Sequence, residues 1–167
     1  MRKILLATLT AGVMSAGVAN AVTVSGGTIT VSATVQATCS ATSANLAFGA
    51  YTPGAGAKTG SAAISVKCTK NTPFTVALDK GTTTGGALAQ RLMASGTNTL
   101  EYNLFTSAAL TTVFGDGTGT TATAAGTGTG VSNVVTITAF GNLPDSANNQ
   151  LAVPGSYSDV VNVSVTY

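Results

Sequence analysis

The residue types that usually carry catalysis are sparse in this sequence. It contains no histidine and no tryptophan, so the most common general base and metal ligand is missing. The five carboxylates stand far apart along the chain, although two of them could converge in space as in a glycosidase. Serines near Lys67 or Lys70 permit a serine–lysine dyad, but no spacing points to one. We therefore predict a protein that is not an enzyme and that holds no metal or cofactor.

A glycine- and threonine-rich stretch, residues 115–130, resembles a nucleotide-binding loop only superficially. A dinucleotide fingerprint lies between a strand and a helix, and an acidic residue that binds ribose follows it. Here the next segment is a strand-like run instead. We interpret residues 115–130 as a mobile, low-complexity loop and assign it no function.

The N-terminus has the features of a secretory signal peptide. A basic start at residues 1–3 precedes an apolar run at residues 4–18, and Ala19-Asn20-Ala21 is a small-x-small cleavage site. We predict cleavage after Ala21, so that residues 1–21 are removed and the protein is exported through the periplasm.

The cysteines Cys39 and Cys68 are the only two in the chain. Export to an oxidising compartment favours a disulfide between them, with free thiols as the alternative. Such a bridge closes a loop of about thirty residues, which is worth roughly 3–4 kcal/mol on the chain-entropy model.

The charge of the mature chain is balanced. Removal of Arg2 and Lys3 leaves five cations against five anions, and the cations are not clustered. Binding to nucleic acid or to an anionic membrane surface requires clustered Lys and Arg, so both are excluded. No later stretch is apolar for long enough to span a membrane, and we expect no membrane insertion.

The composition favours an all-β fold because Thr and Val are abundant and both prefer strands. Helical signal is weak, with at most one turn at Ala87–Met93. Several short strands separated by turn residues predict an antiparallel sandwich or barrel. The predicted strands are residues 28–39, 44–51, 60–68, 73–79, 100–106, 110–114, 131–141 and 157–167.

Apolar and polar residues alternate strongly at both ends of the mature chain. The first strand carries one apolar face and lacks the Lys, Pro or bulge that usually protects a sheet edge. It pairs either within its own chain or with the sheet of another molecule, and the period alone does not decide between them. The apolar faces are Ile29, Val31, Ala33 and Val35 at the start, and Val161, Val163, Val165 and Tyr167 at the end.

A series of short motifs resembles the spore coat protein U domain family, which includes subunits of archaic chaperone–usher pili. No single motif is specific, but the series runs in order through nearly the whole mature chain. The motifs are Cys39, Leu46-Ala-Phe48-Gly49-Ala-Tyr51, Ile64-Ser-Val66-Lys-Cys68, Phe74-Thr-Val76-Ala-Leu78-Asp79-x-Gly81, Arg91-Leu-Met93, Leu100-x-Tyr102-Asn103-Leu104-Phe105, Phe114-Gly-Asp116-Gly117 and Pro154-Gly-Ser-Tyr157-Ser-Asp159.

This resemblance implies an immunoglobulin-like sandwich, residues 39–167, that lacks one strand. A periplasmic chaperone would lend a strand, and an outer-membrane usher would exchange it for the N-terminal segment of the next, identical or related, subunit. Residues 22–38 would then be the donor segment, with residues 22–36 inserted and Ile29, Val31, Ala33 and Val35 as plugs. Cys39–Cys68 would pin the first sheet strand to the second. The implied function is that of a pilus subunit; a secreted coat protein or a small carbohydrate-binding adhesin are the alternatives.

Overall fold

The computed structural model describes residues 21–167, so the predicted signal peptide lies almost entirely outside the described residues. The chain divides into two units, one ending at Thr34 and the other spanning Val35–Tyr167. All strands belong to the second unit. They are β1 (Cys39–Ser43), β2 (Lys58–Cys68), β3 (Pro73–Leu78), β4 (Arg91–Ser95), β5 (Asn98–Phe105), β6 (Ala124–Thr127), β7 (Val135–Leu143) and β8 (Val163–Thr166), with one short 3₁₀ helix at Asn149–Leu151.

The strands form two sheets in which every ladder is antiparallel. The larger sheet has five strands in the order β1-β2-β7-β5-β4, and the smaller has three in the order β6-β3-β8. The all-β, antiparallel prediction is therefore confirmed, and a sandwich rather than a single barrel is formed.

The core lies between the two sheets and follows the alternation of the sequence. In β2 the inward residues are Ile64, Val66 and Cys68, and in β3 they include Phe74 and Val76; all are buried. Complete burial of such a side chain contributes roughly 1.5–3 kcal/mol. The period of two in these strands thus fixes which face of each sheet meets the other.

The disulfide joins β1 to β2. Cys39 and Cys68 are directly opposed in the β1–β2 ladder, and their sulfurs are bonded. Thr38 and Thr69, the next pair along, continue the contact, because the Thr69 amide donates to the Thr38 carbonyl at 3.0 Å. β1 is an edge strand with mostly exposed side chains, so the covalent link replaces the burial that would otherwise hold it.

Several predicted elements differ from the structure. Residues 21–38 form no strand. Residues 44–51 also form none; Leu46 and Phe48 instead pack over Gly60 and Gly141, which face each other in the β2–β7 ladder. A Cβ on Gly141 would lie 2.8 Å from Leu46, so these glycines provide the space that the segment occupies.

Other corrections concern the middle of the chain. The helical turn predicted at Ala87–Met93 is wrong, because the chain enters β4 at Arg91 and pairs with β5. Residues 110–114 contribute only isolated bridges. The loop predicted at residues 115–130 contains β6, where Gly126 lies under the ring of Phe74.

Candidate functional site

One edge of the smaller sheet is open. β8 pairs with β3 through residues such as Val165 and Val163, and no strand among residues 21–167 pairs with its other side. Such an edge presents unpaired N–H and C=O groups to solvent. In an immunoglobulin-type sandwich, strands A, B, E and D form one sheet and C, F and G the other. The order β1-β2-β7-β5 matches A-B-E-D and β3-β8 matches C-F, so the free edge is where strand G would lie.

A groove of mixed apolar and polar lining opens next to this edge. Its cavity of about 430 Å³ reaches the side chains of the core, because the sheets are not covered there by a further strand. We call it the first cavity. Its apolar lining residues include Leu46, Phe48, Ala62, Ile64, Leu78, Met93, Leu104, Ala139, Val161 and Val163.

A second cavity of about 700 Å³ continues the groove. It shares Leu46, Phe48, Met93 and Tyr157 with the first cavity, so the two cavities adjoin at these side chains. Beyond these shared residues its lining includes Leu100, Leu143, Ala152 and Pro154. We call the two adjoining cavities together the open groove.

The C-terminal residues form one wall of the open groove. Val161, Val163 and Val165 are half-buried and pack against the core, whereas the side chain of Tyr167 is 59% exposed. The four predicted face residues therefore divide into three that support the sandwich and one that stands in solvent.

Asp159 fixes the segment that leads into β8. Its carboxylate accepts hydrogen bonds from the backbone amides and hydroxyls of Thr82 and Thr83, and from the Tyr102 hydroxyl at 2.7 Å. Burial raises the pKa of Asp159, but the hydrogen bonds from Tyr102 and Thr83 outweigh it and hold the pKa below its ordinary value. Gly81 has φ +86°, and a Cβ there would collide with the Asp159 carboxylate, so this contact requires glycine.

Asp79 also fixes the segment that leads into β8, by accepting hydrogen bonds from Asn162. It accepts from the backbone amide of Asn162 at 2.9 Å and from the Asn162 side chain at 2.6 Å, and from the Gly81 amide. Burial again raises the pKa of Asp79, while the bonds from Asn162 and Gly81 lower it further than burial raises it. Two carboxylates thus hold residues 159–162, the wall of the open groove next to β8.

The opposite wall is held by Asp145. Its carboxylate accepts from the Tyr51 hydroxyl and from the amides of Gly54 and Gly56, the latter two at 3.0 Å. Burial and then the bond to Asp145 raise the pKa of Tyr51 to about 12. The segment at residues 44–56 lacks a full ladder, and these bonds set its far end in place.

Arg91 is a buried cation beneath the groove. Its guanidinium is fully buried and donates to the carbonyl of Asp79 at 2.7 and 2.9 Å, to the Phe114 carbonyl at 2.8 Å and to the Asn103 side-chain oxygen at 2.7 Å. Asn103 in turn donates to the carbonyl of Ala89. Burial lowers the pKa of Arg91, with Tyr102 and Asp79 acting in the opposite direction. The planar guanidinium satisfies several carbonyls that would otherwise be buried without donors.

The predicted plug residues stand free of secondary structure. Ile29, Val31 and Val35 are 92%, 89% and 86% exposed, and Ala33 is exposed as well. Several large apolar side chains close together are unusual on the surface of a monomeric protein.

Sequence reasoning missed the importance of Arg91 and Asp159. Both were present in the quoted motifs, but their partners are distant in sequence: Asn103, Phe114, Thr83 and Tyr102. The sequence did offer one signal, because charged residues are rare in this chain. A charged residue next to a strand in such a chain is often buried with hydrogen-bonding partners.

Comparison with known proteins identifies the family. The Spore Coat Protein U domain family matches residues 25–164. The chain belongs to this family. The spore coat protein U match covers the predicted plug residues and the sandwich as far as the second residue of β8. No curated protein sequence matches the chain.

A solved structure is similar to this spore coat protein U domain. It is the CsuC–CsuE chaperone–tip adhesion subunit pre-assembly complex from the archaic chaperone–usher Csu pili of Acinetobacter baumannii. The identity is 21% and the TM-score 0.55, over 80% of this chain and 40% of that chain. The chain therefore spans less than half of the solved chain it matches. The likeness supports the immunoglobulin-like sandwich derived above from strand order.

Within residues 21–167, no three His, Cys, Asp or Glu side chains are grouped closely enough to hold a metal ion. In the same part of the chain, no helix has the length and hydropathy needed to cross a membrane.

Proposed function

We propose that this protein is a structural subunit of an extracellular fibre, assembled by donor-strand exchange. The observation that carries the proposal is the free edge of β8 beside the open groove. Residues 22–36 of a second copy, or of a related subunit, would add a strand at this edge. Strand addition of this kind gains affinity from main-chain hydrogen bonds and specificity from alternate side chains in pockets.

The energetics favour a groove that is formed in advance. Burial of Ile29, Val31 and Val35 contributes about 5–9 kcal/mol, and each ladder hydrogen bond adds roughly 0.5–1.5 kcal/mol. Ordering about ten residues costs about 10 kcal/mol or more of backbone entropy. The bound strand is stable only if the acceptor needs little reorganisation, which is what the carboxylate bonds of Asp79, Asp145 and Asp159 would provide.

The same proposal defines the partners and the compartment. A subunit with an open groove needs a temporary strand before assembly, which a periplasmic chaperone would supply and an outer-membrane usher would replace. The similar solved structure is itself a complex of a chaperone with a pilus tip adhesion subunit. The signal peptide predicted at residues 1–21 would export the chain, and its role is structural rather than catalytic.

The plug face can be tested by a matched pair of substitutions in the full chain. Ile29→Asp places a charge on the face that would enter the groove, whereas Thr30→Asp places it on the opposite face of the same strand. We expect Ile29→Asp to abolish polymers of the purified protein and fibres on cells, and Thr30→Asp to leave both nearly unchanged. Electron microscopy and SDS gels without heating give the readout.

The possible results of this experiment lead to different conclusions. Equal assembly of Ile29→Asp and the unchanged protein would rule out donor-strand exchange through this segment. Equal loss in both variants would point to a general effect of charge rather than to a plug face. An unchanged coat-like layer without fibres would favour the coat-protein alternative.

A further inference from the structure

In the predicted donor segment the apolar residues switch from even to odd positions, and a regular alternating strand does not explain this switch. The plug face occupies odd positions: Ile29, Val31, Ala33 and Val35. Upstream, Val22 and Val24 occupy even positions and are 83% and 82% exposed. In a regular strand the two sets would point to opposite faces, because side chains alternate with a period of two.

Gly26 and Gly27 lie between the two sets. Gly27 has φ +100°, a conformation that other residues rarely adopt. In this exposed segment a Cβ on either glycine would meet nothing within 4 Å, so no contact within the chain requires glycine here. A glycine with positive φ is the residue found in one common type of β-bulge.

We propose that Gly26 and Gly27 form a β-bulge in the bound donor strand, which brings Val22 and Val24 onto the plug face. The inference rests on the proposed function and assigns the register of that same strand. A bulge places two residues opposite one on the neighbouring strand, so it shifts the phase of all upstream side chains by one. Six apolar side chains would then face the groove of a second copy instead of four.

Synthetic peptides that block polymerisation of the full chain test the bulge. The peptides are residues 22–38 unchanged, with Gly27→Val, with Gly27 deleted, and residues 28–38 alone. Valine disfavours positive φ, so Gly27→Val should prevent the bulge and turn the upstream valines away. Deletion of Gly27 removes the extra residue and restores the phase in a regular strand.

We expect the unchanged and deleted peptides to inhibit at similar concentrations. The Gly27→Val and 28–38 peptides should require at least about tenfold more, because two valines are left outside the groove and the cost of ordering the upstream residues offsets only part of their burial. A regular strand without a bulge predicts the reverse for Gly27→Val, since valine favours extended backbone and would tighten binding.

The outcomes distinguish the inference from the function beneath it. If no peptide inhibits, donor-strand exchange itself is refuted. If residues 28–38 inhibit as well as 22–38, or if deletion weakens binding as much as Gly27→Val, the bulge is refuted while the proposed function stands.

Discussion

The hydroxyl of Tyr102 donates a 2.7 Å hydrogen bond to the carboxylate of Asp159, and this bond links the larger sheet to the segment that leads into the smaller sheet. Tyr102 lies in β5 of the larger sheet, and Asp159 lies in the segment before β8. Both line the first cavity. The width of the open groove at this point is therefore set by a polar contact.

Removal of the Asp159 carboxylate should destabilise the sandwich. Asp159→Ala leaves the donors of Thr82, Thr83 and Tyr102 without their acceptor, and we expect a loss of about 2–4 kcal/mol in the free energy of unfolding. Urea unfolding followed by circular dichroism gives the value. Asp116→Ala is the matched control, since Asp116 is exposed and bonds only within its own loop, to Thr118. Equal effects of the two substitutions would contradict the assigned role.

Acid should weaken the fold through Asp79 and Asp159. The folded-state pKa of each lies below its ordinary value, with hydrogen bonds overcoming the effect of burial. The unfolded state therefore binds protons more readily. The stabilisation is fully present above about pH 4, the unfolded pKa, and declines as the pH falls through the lower folded pKa.

Urea unfolding between pH 6 and pH 2 measures this dependence. The double variant Asp79→Asn/Asp159→Asn should be less stable at pH 6, and its free energy of unfolding should fall less as the pH is lowered. If the free energy of unfolding of the variant fell with pH in parallel with that of the unchanged protein, these carboxylates would not govern the acid dependence.

Arg91 should not tolerate lysine. Arg91 donates from three nitrogen atoms to Asp79, Asn103 and Phe114, and an ammonium group cannot reproduce that planar arrangement. We expect Arg91→Lys to lower the free energy of unfolding by about 3 kcal/mol or more, because buried acceptors lose their donors. Thermal unfolding is the measurement. Lys80→Arg, a charge-preserving exchange at an exposed site, should change the midpoint little.

Filling the groove should block assembly without unfolding the subunit. Ala62 lies opposite Ala139 in the β2–β7 ladder, and both line the first cavity. Ala62→Leu extends a side chain into space that a plug would occupy, whereas Ala63→Leu points to the exposed outer face. We expect Ala62→Leu to weaken binding of the 22–38 peptide to the subunit at least about tenfold in a direct binding titration, and Ala63→Leu to have no effect. Equal peptide affinities of the two variants would place the binding site elsewhere.

The core strands could be predicted from the sequence because their pattern is local. Alternation in β2 and β3 identified the inward residues, and the all-β class followed from composition. The predicted strand at residues 44–51 failed because its position depends on Gly60 and Gly141, which lie on other strands. β4 was missed since Leu92, Met93 and Ala94 are good helix formers, and only pairing with β5 makes them a strand.

The groove itself was expected from the family resemblance, not from the residues. The groove consists of the free edge of β8 and a set of core side chains that no strand covers. Both features depend on the order in which the strands pair. Most bonds of Asp79 and Asp159 link residues far apart in sequence, such as Thr82 and Asp159, 77 positions apart, or Asp79 and Asn162, 83 positions apart. No local pattern contains that information.

The Cys39–Cys68 bridge has a mechanical consequence in a fibre of the proposed kind. Tension transmitted by the bound donor segment would enter each subunit at Cys39, the first residue of an edge strand held mainly by its ladder to β2. Without the bridge that strand could peel away one hydrogen bond at a time. With it, the load passes directly into β2, which is paired on both sides, so reduction should weaken a stretched filament before it weakens the joint between subunits.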